Sequence, residues 1–276
     1  LIPGQITKLG EIAKKNQLMY ATIYQNRFNP ALVKTKEILD KNLYIDRKNL
    51  EKIIEPSLRN YNNHIVDLIL SVHNNESEIL DFGAGCGTLA KIIRRKTKNS
   101  PTCIEIDEYL KSILIKIGFK VFNDINKTKD QYDFIYSSNV LEHIYDDVKS
   151  LKQLESKLTK NGTLVLYLPA FQILYSDLDR SVGHFRRYSK KRILQITSDA
   201  GFRIDKMFYV DSVGFFCSFI IQILGWNTKF GVGSKNSLKI YDKFIFPVSR
   251  FLDALGFKYI LGKNIFVALK KSQQSI

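Results

Sequence analysis

The stretch ILDFGAGCGTLA (residues 79–90) starts as an apolar strand, passes through Asp81, and then carries glycines at 83, 85 and 87 before a helix begins. Glycine serves where a chain must turn sharply, because it enters left-handed conformations freely and has no Cβ to keep a ligand off the backbone. At the carboxyl edge of a parallel sheet, such a turn faces the crevice in which ligands bind. Short apolar runs on either side extend the pattern: 78–82, 102–106, 120–123, 133–137 and 163–168 read as strands. Between them, 89–96, 109–117, 140–144 and 148–158 read as helices, and 51–72 is a helix ahead of the first strand. The runs 203–210 and 264–271 read as closing strands. This alternation predicts an α/β fold, a mostly parallel seven-stranded sheet with helices on both faces.

Acidic residues follow the glycine turn in order. Asp107 ends the second strand, where a carboxylate is placed to accept bonds from both hydroxyls of a ribose. Asp124 comes just after the third strand, positioned for the amino group of an adenine, and DFIYSSNVLEHI (133–144) ends the fourth. A dinucleotide fits this pattern poorly. Its fingerprint places a glycine three positions after the second one, where this chain has Thr88. Asp81 would also repel a pyrophosphate, whereas it would attract the ammonium group of an amino acid.

Together these residues resemble the class I S-adenosylmethionine-dependent methyltransferases, whose fold is Rossmann-like. DFGAGCG is similar to that family's first motif, CIEID to its second, NDI to its adenine-side motif, and SSNVLEHI with LTKNGTLVLYLPA (158–170) to the later ones. The resemblance spans about residues 50–271 and implies S-adenosyl-L-methionine as the cofactor. It implies that Asp81, Gly83, Gly85 and Gly87 form the methionine side of the donor site and Asp107 the ribose side. Asp124 and Ile125 would hold the adenine, and Asn139 would lie beside the sulfonium. The protein's task is then to align a nucleophile for in-line attack and to exclude water.

Two histidines are candidate catalytic bases. His143 follows Glu142 at the exit of the fourth strand, and His184 lies in DLDRSVGHFRRYSKKRIL (177–194), within the segment 171–200 where this fold carries its acceptor lid. That segment resembles a bacterial subgroup with a GHxRRYS-type motif. Arg186, Arg187 and Tyr188 are candidate acceptor-binding residues, the arginines as a clamp on phosphate or carboxylate. The Glu142–His143 pair is similar to one in ubiquinone-pathway O-methyltransferases, whose metal-associated ExxxEH pattern would need Glu where this chain has Ser138. No metal is therefore expected.

Residues 46–276 read as the methyltransferase domain. Residues 1–45 read as an N-terminal extension, in which QNRFNPALVKTKEIL (25–39) resembles a fragment of Gfo/Idh/MocA oxidoreductases without their dinucleotide turn or catalytic motif. A helical insertion is expected over about 211–263, where DSVGFFCSFIIQILGW (211–226) is almost wholly apolar and its neighbours are basic. The chain carries a net charge of +15, two-thirds of it beyond residue 170. Charge of this kind attracts anionic membranes, phosphorylated small molecules or nucleic acid. Three scattered cysteines exclude a disulfide framework and point to a reducing, cytoplasmic setting. The expected acceptor is a small molecule carrying an oxygen nucleophile, of glycan, lipid-linked or quinone-like chemistry, with peripheral contact at the inner membrane face. A nucleic-acid methyltransferase is the competing enzyme, opposed by the absence of an NPPY-type tetrapeptide. A non-catalytic scaffold is opposed by the intact turn and acids.

Overall fold

In the computed structural model, residues 57–73, 78–128, 131–223 and 235–272 are described. The oxidoreductase-like stretch of the N-terminal extension lies outside them. Seven strands form one sheet: β1 (Ile79–Phe82), β2 (Thr102–Ile104), β3 (Lys120–Phe122), β4 (Tyr132–Ser138), β5 (Leu158–Pro169), β6 (Phe202–Val210) and β7 (Asn264–Lys271). Their order is β3-β2-β1-β4-β5-β7-β6. The pairs among β1 to β5 are parallel, and β7 runs antiparallel to both β5 and β6. All seven expected strands are present. Because β1 pairs with β2 on one side and β4 on the other, the chain order reverses beside β1 and opens a crevice at its carboxyl end.

The central strands are buried on both faces, as an α-covered parallel sheet requires. One face packs Leu80, Ile135, Leu164 and Leu166 beneath α4 (Asp147–Ser156) and α6 (Lys190–Asp199), which contribute Leu151, Leu154, Ile193 and Ile196. The other packs Phe134, Tyr136, Val165 and Phe266 against α1 (Arg59–Leu70) and α2 (Thr88–Thr97) through Ile65, Ile69 and Ile93. Among the boundaries that differ from the sequence expectation, two have a clear physical reason. The helix expected to reach residue 158 stops at Ser156, because Leu158 is drawn into the core and folds over Gly162, where a Cβ would come within 2.6 Å of it. The helix expected over 140–144 is a single 3-10 turn, Leu141–His143. It follows Asn139 at φ +53°, a left-handed kink that a regular helix does not accommodate.

Between β6 and β7 stand α7 (Ser212–Ile223), α8 (Lys235–Ile240), a π turn (Tyr241–Ile245) and α9 (Phe246–Ala254). Buried carboxylates fasten them to the sheet edge. Asp211, itself at φ +70°, accepts bonds from Gly214 N (3.0 Å), Ser249 Oγ (2.9 Å) and the Tyr241 hydroxyl. Asp253 accepts from the backbone N–H groups of Asp211 and Ser212. Asp242 caps α1 from far along the chain, accepting from Asn60 N at 2.9 Å and Tyr61 N at 2.8 Å. That satisfies two of the N–H groups a helix start leaves orphaned, which Leu58 at the N-cap has no side chain to serve.

Candidate functional site

The three glycines after β1 all have positive φ (+87°, +57° and +79°) but do different work. A Cβ on Gly83 would lie 2.3 Å from Val140 Cγ2, and one on Gly87 would lie 2.6 Å from Leu114 Cδ2 on α3 (Glu108–Lys116). Gly83 therefore lets the β4 exit close over the turn, and Gly87 lets α3 pack against the start of α2. Gly85 is the exception, because a Cβ there would meet nothing within 4 Å. The turn is packed at both ends and open in its middle.

Acids surround that opening. The Asp81 carboxylate is buried and accepts a 2.6 Å bond from the Tyr136 hydroxyl. Burial, opposed by that bond and reinforced by the charge of Glu105, raises its pKa to about 7. Glu105, at the tip of β2, accepts from Gly85 N at 2.7 Å and from Asp107 N at 2.9 Å, so its carboxylate is aimed at the open glycine. Burial raises its pKa too. Asp107 does something else: its Oδ1 accepts from the N–H groups of Tyr109 and Leu110, both at 3.0 Å, as the N-cap of α3. The acid touching the turn is therefore Glu105, two residues before the one expected from the sequence. DEYL at 107–110 has the form of a helix start, and that capping pattern is the signal that distinguishes the two acids.

Asp124 follows β3 and accepts from Asn126 N at 2.9 Å, capping a 3-10 turn that buries Ile125 in the core. Asn139 is exposed at the tip of β4, its backbone N–H bonded to Tyr167 O at 2.9 Å. Both sit at carboxyl ends of parallel strands, Asn139 on β4 beside β1 and Asp124 on the edge strand β3.

Beyond Asn139 the chain forms a second polar group. The 3-10 turn carries Glu142 and His143 to meet α5 (Asp177–Val182) and the loop behind it. Asp179 lies at its centre. It accepts from Arg187 through two 3.0 Å bonds, Nε to Oδ1 and Nη2 to Oδ2, and it pairs with His184 Nδ1 at 2.7 Å. Burial would raise the Asp179 pKa, but the bonds from His184 and Arg187 outweigh it and hold the carboxyl well below the usual carboxylate range. His184 Nε2 then faces Glu142 Oε1 at 3.8 Å, and the His143 and His184 rings meet edge to face at 4.6 Å. Glu142 is 0% exposed, and neither of its oxygens has a hydrogen-bond partner. Burial pushes its pKa up to about 8, and burial with the neighbouring His184 lowers that of His143 to about 4.

The structure thus brings both predicted histidines together with Arg187, whereas the Arg186 and Tyr188 side chains have partners around Asp147. Arg186 forms an ion pair with Asp147 Oδ2 at 3.1 Å and donates to the carbonyls of Ile144 and Tyr145, so it ties the β4 exit to α4. Tyr188 is fully buried in the core beside Asp147. Both side chains thereby hold the segment after β5 against α4. Arg187 alone retains a buried guanidinium nitrogen, Nη1, without a partner. Glu105 and Asp179 join this candidate site without having been singled out in the sequence, where Glu142 stood only as the partner of His143.

The raised Asp81 pKa gives a stability test. Between an unfolded pKa near 3.8 and the folded value of about 7, the native state holds the proton more tightly, so stability falls as pH rises through that window. Asp81→Asn is expected to raise the melting temperature at pH 8, with the gain shrinking as pH drops towards 4. An equal gain at both pH values would contradict this account of Asp81.

Residues 55–206 match the family described as "Methyltransferase domain". Comparison with curated proteins gives no match. Among solved structures, an S-adenosylmethionine-dependent methyltransferase of Thermotoga maritima is 13% identical over 82% of this chain and 95% of that one, with a TM-score of 0.52. An O-methyltransferase from a multienzyme of Brevibacillus brevis, in complex with S-adenosyl-L-homocysteine, is 18% identical over 89% and 80%, with a TM-score of 0.50. Coclaurine N-methyltransferase, bound to N-methylheliamine and SAH, is 16% identical over 76% and 72%, also at 0.50. These likenesses show the fold, and the family match spans more than half of the chain. With a glycine turn open in its middle and held by Glu105 at the switch point of the sheet, the chain belongs to the class I methyltransferases, enzymes that take S-adenosylmethionine as their methyl donor.

Proposed function

We propose that the chain methylates an oxygen nucleophile on a small acceptor of glycan, lipid-linked or quinone-like chemistry, activated at Glu142, His143 and His184. In this reading the backbone at Gly83 and Gly85, with Asp81, holds the amino-acid end of the donor. Glu105 takes the ribose hydroxyls in place of Asp107, Asp124 with the Ile125 backbone flanks the adenine, and Asn139 lies beside the sulfonium. The open space at Gly85 and the carboxylate aimed at it fit such a group. A bound donor would supply an electrophilic methyl on positive sulfur, and Glu142, His143 and His184 would orient the acceptor hydroxyl and ease the loss of its proton.

One observation carries the acceptor end. Glu142 is fully buried without a hydrogen-bond partner, on the turn whose Val140 closes over the glycine loop. A buried, unsatisfied carboxylate is costly, so its retention beside two imidazoles points to a site that acts on something brought to it. Asp179 holds His184 in one orientation, and Arg187 in turn holds Asp179.

The greasy acceptor is supported by the helices before β7. On α7, Phe216, Ile220 and Ile223 are exposed; along α8 to α9, Ile240, Phe244, Val248, Phe251 and Leu255 are exposed at helical spacing. Lys243 and Lys258 lie beside aromatic rings on the same segment. Apolar stripes with basic neighbours suit an anionic lipid surface, and so a place at the inner membrane face of the cytoplasm. No helix among the described residues is long and apolar enough to cross a membrane.

The test is transfer of labelled methyl from S-adenosylmethionine into fractionated cell extract. Label is expected in lipid or glycan fractions and to be lost with His184→Asn. Label in RNA, or none in any fraction, would overturn the reading.

A further inference from the structure

We propose that Glu142, His143 and His184 form a binding site for one first-row divalent metal ion. The proposal rests on the reading of this cluster as the acceptor end and says how the cluster works there.

Three ligand atoms, one from each residue, lie within 4.8 Å of one another. A metal about 2.1 Å from each would draw them to roughly 3–3.5 Å apart. His184 Nε2 and Glu142 Oε1 already stand 3.8 Å apart, so the closure needs only small side-chain shifts. The supporting contacts are those a metal-binding histidine needs. His184 turns its Nδ1 to Asp179 at 2.7 Å, leaving Nε2 as the inward atom, and the Arg187 fork fixes Asp179. Such carboxylate–histidine pairs set the tautomer and orientation of metal ligands. His143 is oriented by a backbone bond to Gly183. Both Glu142 oxygens lack a hydrogen-bond partner although the side chain is buried. A cation bound between the carboxylate and the imidazoles supplies what the protein around them does not.

The donor set names the class of ion. Two imidazoles and one carboxylate suit zinc, iron(II) or manganese(II) better than calcium, which takes six to eight oxygens. Three protein ligands leave positions open, as catalytic sites do, and an ion there would lower the pKa of an acceptor hydroxyl. The set differs from the pattern of the ubiquinone-pathway enzymes. Ser138 offers no carboxylate, and His184 arrives from the segment after β5.

The test strips the full chain with chelator, titrates it with zinc chloride by calorimetry, and counts bound metal after desalting. About one zinc per chain is expected. Glu142→Gln and His184→Asn should each weaken binding at least 10-fold, and Asp179→Asn 10-fold or more through His184. Cofactor binding by each variant reports that the fold is intact. Cobalt(II) substitution should give a spectrum without thiolate bands, which separates this site from the three cysteines. No bound zinc, thiolate-bound metal only, or unchanged affinity in both Glu142→Gln and His184→Asn would each overturn the proposal. Full methyl transfer by metal-free protein would overturn it too, while leaving the acceptor reading standing. Tight zinc binding without transfer to any fraction would do the reverse.

Discussion

Gly85→Val is expected to abolish measurable binding of S-adenosylmethionine while leaving the fold in place. At Gly85 an added Cβ meets nothing within 4 Å, so the branched side chain enters the crevice rather than the core. The backbone there has φ +57°, which costs an L-residue about 1–2 kcal/mol, so the variant should also melt a few degrees lower. Gly83→Ala is the contrasting case. Its Cβ would come within 2.3 Å of Val140, whose β-branched side chain has little freedom to withdraw, and the damage should appear mainly as lost stability. Calorimetry and thermal melts on the two variants separate a ligand lesion from a packing lesion. Unchanged donor affinity in Gly85→Val would show that the turn is not the donor site.

The second large effect is expected at Glu105. Removing a carboxylate that accepts from a ribose costs roughly 1.5–3 kcal/mol per hydrogen bond, so Glu105→Ala should weaken donor binding about 100-fold or more. The same change releases Gly85 N from its 2.7 Å partner and loosens the turn. Asp107→Ala should instead remove a helix cap worth about 0.5–2 kcal/mol and, with Glu105 taking the ribose, change donor affinity only a few-fold. The opposite ranking, with Asp107 dominant, would return the ribose to Asp107.

That pair of acids shows where the sequence was legible and where it was not. The strands were readable because β-rich apolar runs alternated with helical spacing, and each of the seven was found. The glycine turn was readable as a turn, but its division of labour was not. Whether a Cβ would meet Val140, Leu114 or open space depends on residues far along the chain. Asp107 and Glu105 lie two residues apart, and only the hydrogen bonds to Tyr109 and Leu110 show which one the helix takes. Similarly, RRYS reads as three polar hands held out to an acceptor. In the folded chain Arg186 and Tyr188 turn to Asp147, while Arg187 turns to Asp179. Asp179 sits amid charged neighbours in DLDR and carries no local mark of its role. Glu142 stood beside a candidate histidine, but its burial and missing partners are properties of packing alone.

The most direct test of the donor site is a crystal structure of the chain with S-adenosylhomocysteine. The account predicts both ribose hydroxyls within hydrogen-bond distance of the Glu105 carboxylate, the amino-acid end over Gly83 and Gly85, and the sulfur turned towards Asn139 and the Glu142 turn. A nucleoside bound elsewhere, or one whose ribose meets neither Glu105 nor the glycine turn, would contradict it.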